Sequence, residues 1–259
     1  MSDPVPPPEE PASGTEPDPP AAVADPGALD PEATDLVLGV LASTRAVRRY
    51  RPEPVPDDVL ARLLFAATRA PSGSNRQGFR FLVLRDGPGA VAAKALIGGA
   101  ARELWAAKEA ADGYGTGSGA APDSPKARTA RTMRAFVDGF EDIPVVILAG
   151  MLRHRGGTDE LLGASVYPAC QNLLVAARAS GYGGVMMTWH RAVEPQLREA
   201  LAIPDDVFLA ATITLGRPVG GTGTVRRAEL RHLVFEDRWG ESPEWAVDPE
   251  GSRFTRWRG

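Results

Sequence analysis

Ala70-Pro71-Ser72-Gly73-Ser74-Asn75-Arg76-Gln77-Gly78-Phe79-Arg80-Phe81-Leu82-Val83-Leu84 is where the chain changes character. Before it, apolar residues recur at helical spacing. From Phe79 to Leu84 they form a dense apolar and aromatic run, the pattern of a buried strand. The loop between is crowded with hydrogen-bonding groups. Ser, Asn and Gln offer the donors and acceptors that a flat, imide-like ring edge needs, and they also suit a solvated turn.

Upstream, Val55-Pro56-Asp57-Asp58 opens a helix whose stripe is Val59, Leu60, Leu63, Leu64 and Ala67. Asp30-Pro31-Glu32 opens an earlier one, with a capping Asp, Pro at the first helical position and an acid in the first turn. Between these helices sits a basic cluster, Thr44-Arg45-Ala46-Val47-Arg48-Arg49-Tyr50.

Downstream, the pattern predicts helices over 90–110, 127–138 and 160–180, and a fourth over Glu194–Leu201. Buried strands are expected at Ile143–Leu148, near 184–188 and at Val207–Leu215. Gly181 is placed to end the third helix, and Pro168 is expected to kink it or offset its start. Helices interleaved with few strands imply an α+β domain, with helices packed on a central sheet.

Composition narrows the function. The formal net charge is −4, and residues 1–30 hold seven acids, nine prolines and no Lys or Arg. Such a segment cannot offset its ordering entropy by burial, so it is expected to be a disordered tail. The remainder is near neutral and gives no electrostatic case for nucleic acid. One cysteine, Cys170, excludes an internal disulfide framework, and the scattered His154, His190 and His232 lack metal-site spacing. No apolar run reaches the roughly 20 residues of a membrane helix. The start has no basic and apolar signal pattern, so a cytoplasmic protein is expected.

Most apparent motifs have plain readings. Gly115-Thr116-Gly117-Ser118-Gly119-Ala120 matches G-x-G-x-x-G/A, but a helix precedes it and Pro122 follows, so it reads as a linker. Cys170 lies in an apolar helical pattern and reads as a small buried hydrophobe. His190 reads as structural, and no G-x-S-x-G elbow is present. The Gly- and Pro-rich segment 111–126 is either a lid with Trp105 over a site or a surface insert with Trp105 in the core.

Taken in order, these segments resemble the FMN-dependent nitroreductase family. The residues that carry the resemblance are R-x-V-R-R-Y at 45–50, the helix from Val55, and A-P-S-G-x-N-x-Q at 70–77 with its F-L-V-L strand. Further along come Asp142-Ile143-Pro144-Val145-Val146-Ile147, Gln171-Asn172-Leu173-Leu174 with Gly181-Tyr182-Gly183, Leu201-Ala202-Ile203-Pro204, Leu215-Gly216-Arg217-Pro218 and Arg227-Ala228-Glu229-Leu230. The match spans roughly residues 40–240.

The resemblance implies a central, mostly antiparallel sheet flanked by helices in an intertwined homodimer, with residues 31–259 as the FMN-binding domain. It implies that Arg45, Arg48 and Arg227 grip the FMN phosphate. Ser72 and Asn75 would contact the ribityl chain and pyrimidine edge, often from the partner subunit. Met186, Met187 and Thr188 would run along the isoalloxazine ring. It further implies NADH or NADPH as donor and a ping-pong hydride transfer to a nitroaromatic, a quinone or a similar small acceptor. No dedicated catalytic side chain and no metal are expected. A non-turnover flavin or deazaflavin binding protein and a specialised biosynthetic flavin oxidase are the alternatives.

Two positions depart from the family's R-R-S-x-R cluster: Thr44 and Ala46 stand where an Arg and the Ser are common. This removes one charge and one hydroxyl from the phosphate cradle. Weaker FMN retention, compensation by Arg49 or Arg226, and a different flavin-like ligand are the open consequences. The loop also has Gly78 where the family usually has Pro.

Overall fold

The computed structural model describes Gly27 and residues 29–154, 156–221 and 223–255, with the side chain of Ser118 left aside. The expected disordered tail lies almost wholly outside the described residues. The chain divides into two units, Met1–Val37 and Leu38–Gly259. In the first unit, Asp30 Oδ1 accepts the Ala33 amide at 2.8 Å and so caps α1 (Pro31–Ser43), as its sequence predicts.

The second unit is built on four strands: β1 (Phe79–Leu84), β2 (Val145–Leu152), β3 (Gly183–Met187) and β4 (Val207–Gly216). Their order is β1-β2-β4-β3, and every pairing is antiparallel. The central strands β2 and β4 are buried on both faces except at the last residue of β2, which explains why they read as continuous apolar runs. α2 (Asp57–Thr68) and α5 (Asp159–Ala179) cover one face, packing Leu63, Val166, Cys170 and Leu173 against Ile147, Ile213 and Leu215. The opposite face carries α3 (Pro88–Ala111), α4 (Pro125–Asp138) and α6 (Glu194–Leu201), with Ile97, Phe136, Phe140 and Leu197 packed on Val146, Leu148, Val185 and Leu209.

One bulge reconciles the alternation of β4 with this two-faced core. Ala149 pairs with Ala211 while Gly150 pairs with Leu209, so Ala210 is the extra residue. Phe208 and Ala210 face the α5 side before the bulge; Ala211, Ile213 and Leu215 face it afterwards. A Cβ on Gly150 would stand 2.7 Å from the Phe208 carbonyl oxygen, so the bulge requires glycine there.

Two expectations shift. β2 begins at Val145 rather than Ile143 and runs on to Leu152. Pro144 has no amide to give the ladder, and the Ile143 carbonyl accepts Lys94 Nζ at 2.7 Å instead. Pro168 lies inside α5, not near its start. The amide it lacks would have served Ala164, which is exposed, so the helix runs on past the proline. Gly181 follows α5 at φ +77°, the conformation its helix-ending role requires. Among the described residues, no helix is long and apolar enough to cross a membrane.

Candidate flavin-binding site

The basic cluster is fastened to the β3 edge of the sheet. The Val47 amide donates to the Gly184 carbonyl at 2.9 Å, and Arg51 N and Val219 N tie the segment to Arg217 and Arg49 carbonyls. Tyr50 anchors it, its hydroxyl lying 2.5 Å from the Val47 carbonyl and 2.7 Å from Thr214 Oγ1. Burial pushes that phenol pKa well up, so Tyr50 is a neutral clamp. Gly183 and Gly184 permit this contact: a Cβ at 183 would meet Val47 Cγ2 at 2.6 Å, and one at 184 would collide with the Thr214 carbonyl.

The clamp leaves Arg48 half-buried and Arg45 exposed beside it. Desolvation, aided by the charge of Arg45, lowers the Arg48 pKa, and only the weaker influence of Tyr50 opposes it. The ion pairs among the described residues engage Arg62, Arg85, Arg102, Arg134, Arg153, Arg198, Arg231 and Arg238. None engages Arg45, Arg48 or Arg227. Arg227 lies in a segment joined to the end of α1 through Val225 N and the Ala42 carbonyl, and its guanidinium donates to the Arg226 carbonyl at 2.9 Å. Arg45 and Arg48, exposed and half-buried beside the β3 edge and without carboxylates, suit a phosphate dianion, and Arg227 is joined to that region only through the end of α1. The residues present therefore fit the phosphate end of FMN.

Along the same edge, strand alternation separates the two methionines. Met187, with Val185, faces the α3–α4–α6 core, whereas Met186 is 40% exposed on the other face. Thr188 follows and is exposed. A ligand at this edge would thus meet the side chains of Met186 and Thr188, and Met187 could offer it little beyond backbone.

Ser72 and Asn75 lie elsewhere. Their loop precedes β1, whose Phe79 pairs with Met151, which in turn pairs with Phe208 at the start of β4. The basic cluster adjoins Gly183 and Gly184, which pair with Gly216 and Leu215 at the end of β4. Along β4 the two ends are about 25 Å apart at about 3.3 Å per residue. One chain therefore does not bring Ser72 and Asn75 to the arginines.

The loop itself is stiffly set. Ser72 Oγ accepts the Gln77 amide at 2.9 Å, the Ser72 carbonyl accepts Asn75 N at 2.8 Å, and buried Ser165 Oγ accepts Gly73 N at 3.3 Å. Ser74, Asn75 and Gln77 all have φ near +50°, a left-handed conformation that stores backbone strain. The Asn75 side chain is exposed and makes no hydrogen bond among the described residues. Beneath the loop lies a groove of about 520 Å³ lined by Pro71, Ser72, Arg76, His154, Leu161 and Ser165, among others.

The remaining candidates are structural. His190 is fully buried, with Nδ1 2.9 Å from Thr212 Oγ1 and Nε2 3.3 Å from the Leu209 carbonyl. Cys170 is fully buried, and desolvation pushes its thiol pKa up to about 12. Trp105 is 6% exposed and packs with Ala101, Ala130 and Val137, as the core reading expects. Tyr114 packs against it with ring centroids 5.1 Å apart and the planes tilted by 56°, so segment 111–126 is anchored over its own helices. The glycine pattern at 115–120 is a short 3₁₀ turn between helices, not a strand-to-helix loop. No metal-holding cluster occurs among the described residues.

Residues 41–217 match the model of the Nitroreductase family. A 5,6-dimethylbenzimidazole synthase of Rhodospirillum rubrum is 27% identical over 199 residues, 73% of this chain and 85% of that protein. An NADH dehydrogenase of Thermus thermophilus is 52% identical over 58 residues, only 21% of this chain and 28% of that protein. Among solved structures, a nitroreductase-type protein from Desulfovibrio desulfuricans in complex with FMN superposes with a TM-score of 0.55 and 27% identity, covering 78% of this chain and 97% of that one. The α+β fold, the antiparallel sheet and the matched span agree: the chain belongs to the Nitroreductase family.

Proposed function

We propose that this protein is an FMN-dependent oxidoreductase that uses NADH or NADPH to reduce a small oxidised acceptor such as a quinone or nitroaromatic. The observation that carries the reading is the pair of ion-pair-free Arg45 and Arg48 at the sheet edge that also presents Met186 and Thr188, with ion-pair-free Arg227 on the segment joined to the end of α1. FMN, when bound, supplies hydride acceptance and donation at its N5. The chain's own part is binding and orientation. Arg45, Arg48 and Arg227 neutralise the phosphate, while Met186 and Thr188 bound the ring. Buried Cys170 and His190 have no route to substrate, so neither acts as nucleophile or general base.

The reading includes a homodimer, with Ser72 and Asn75 of one subunit completing the site at the β3 edge of the other. Its support is the separation of the two residue sets along the sheet. It also includes residues 31–259 as the FMN-binding domain behind a disordered acidic tail, and a cytoplasmic location, where NAD(P)H is at hand. The visible absorption spectrum before and after anaerobic NAD(P)H tests it. A flavin spectrum that bleaches is expected; a colourless protein that takes up no added FMN would overturn it.

A second reading, a biosynthetic flavin enzyme with one tight substrate, draws on the likeness to the dimethylbenzimidazole synthase, which extends over most of both chains. Rapid reduction of many unrelated acceptors would count against it.

A further inference from the structure

The cradle at the basic cluster is short of one cation at Thr44, and the hydroxyl found there cannot make up for it. Thr44 Oγ1 donates its only proton to the Val40 carbonyl at 2.7 Å, turning back onto the end of α1. The neighbouring Ser43 Oγ donates likewise to the Gly39 carbonyl at 2.8 Å. A compensating charge must therefore come from another element. Arg49 and Arg226 are exposed, and among the described residues neither side chain is held against this segment.

Arg178 is held there. It lies in the last turn of α5, half-buried, and its Nε donates to Ser43 Oγ at 2.9 Å. That bond occupies one of its five N–H donors and fixes the plane of the guanidinium. Its two terminal nitrogens have no hydrogen bond or ion pair among the described residues, so its forked end is unengaged one residue away from Thr44. Helix capping does not account for the geometry. The Ser180 amide already serves the Ala176 and Ala177 carbonyls, and Tyr182 N serves Ala177 again.

We propose that Arg178 is a further phosphate-binding residue, supplying from α5 the charge that the basic cluster lacks at Thr44, with Ser43 setting its orientation. The proposal rests on the FMN reading above.

The test compares dissociation constants for FMN and riboflavin, which differ only by the phosphate, in the wild-type apoprotein, Arg178→Gln, Arg178→Lys and the distant control Arg62→Gln. Flavin fluorescence gives the binding, and thermal melts without flavin report folding. Arg178→Gln is expected to weaken FMN on the order of tenfold or more while riboflavin changes little, as loss of a charge-assisted contact requires. Arg178→Lys should restore part of the FMN preference, and Arg62→Gln should show none of the loss. An unchanged ratio of the two constants in Arg178→Gln, or equal weakening of both flavins, overturns the role of Arg178. A wild-type protein that binds neither flavin overturns the FMN reading itself, and a wild type without preference for FMN overturns the phosphate cradle.

Discussion

Replacing His190 by Gln should flatten the acid limb of the stability curve. His190 is fully buried, and its neighbours, the Thr212 hydroxyl and the Leu209 carbonyl, carry no charge. Desolvation lowers its pKa, outweighing the favourable influence of the Leu209 carbonyl and Glu194, while Arg191 lowers it further. The folded protein therefore keeps this imidazole neutral at a pH where the unfolded chain protonates it. The unfolded state then binds more protons, and stability must fall as the pH drops below the ordinary histidine value of about 6.5. The loss continues until the lowered folded pKa is reached, and above about 6.5 the group contributes no slope. One proton limits the slope to about 1.4 kcal/mol per pH unit. For a domain of this size that is about 3–5 °C in melting temperature per pH unit. Urea unfolding of the wild type and His190→Gln at several pH values from 7.5 to 5 separates this group from the others, because whatever the two proteins share cancels in the difference. Gln is expected to cost stability at pH 7.5, where Thr212 and Leu209 lose a well-placed partner, and the gap should narrow as the pH falls. A gap that stays constant down to pH 5 would refute the assignment of His190 as a neutral buried group.

Arg48→Met should weaken FMN binding by at least about tenfold, yet leave the flavin-free melting temperature unchanged or higher, since it removes a desolvated charge with no ion pair. A lower flavin-free melt would show that Arg48 serves the fold. Gly184→Ala should cost about 1–3 kcal/mol in urea unfolding, because the new methyl falls on the Thr214 carbonyl and pushes β3 from β4. Trp105→Phe should cost only the packing lost with the smaller ring, about 1–2 kcal/mol, since the buried indole N–H has no hydrogen-bond partner among the described residues, whereas Trp105→Ala should cost about 3–5 kcal/mol.

The elements were legible where a single local rule governs them. Asp30 and Pro31 announce α1, Gly181 ends α5, and the unbroken apolar runs of β2 and β4 mark strands covered on both faces. What escaped the sequence depends on contacts between distant segments. The bulge at Ala210 is set by its register against Gly150, and nothing in Phe208–Ala211 announces it. The opposite facing of Met186 and Met187 follows from strand alternation once β3 is placed, which the motif alone does not give. Arg178 was one arginine among many, and its significance rests on a hydrogen bond to a residue far away in the chain. Tyr50 stood in the motif from the start, but its role as a clamp needed Thr214.

The separation of the two halves of the site yields a test that needs no structure of the assembly. If Ser72 and Asn75 of one subunit serve the arginines of the other, a subunit carrying Asn75→Ala and one carrying Arg48→Met spoil different halves. Each homodimer then has two impaired sites. A heterodimer concentrates both lesions in one site and leaves the other intact. Random pairing from equal amounts makes about half the dimers mixed, so about a quarter of all sites should recover wild-type FMN affinity. Sites built within one chain would recover nothing, because every chain in the mixture is damaged. Flavin titration of the co-refolded mixture against the two separate variants decides between them. A tight-binding fraction near one quarter supports the shared site. Its absence, with heterodimers shown to be present by tags of different mass, would mean that each site is built within one chain, and an Asn75→Ala homodimer that binds FMN like wild type would mean that the loop of Ser72 and Asn75 lies outside the flavin site.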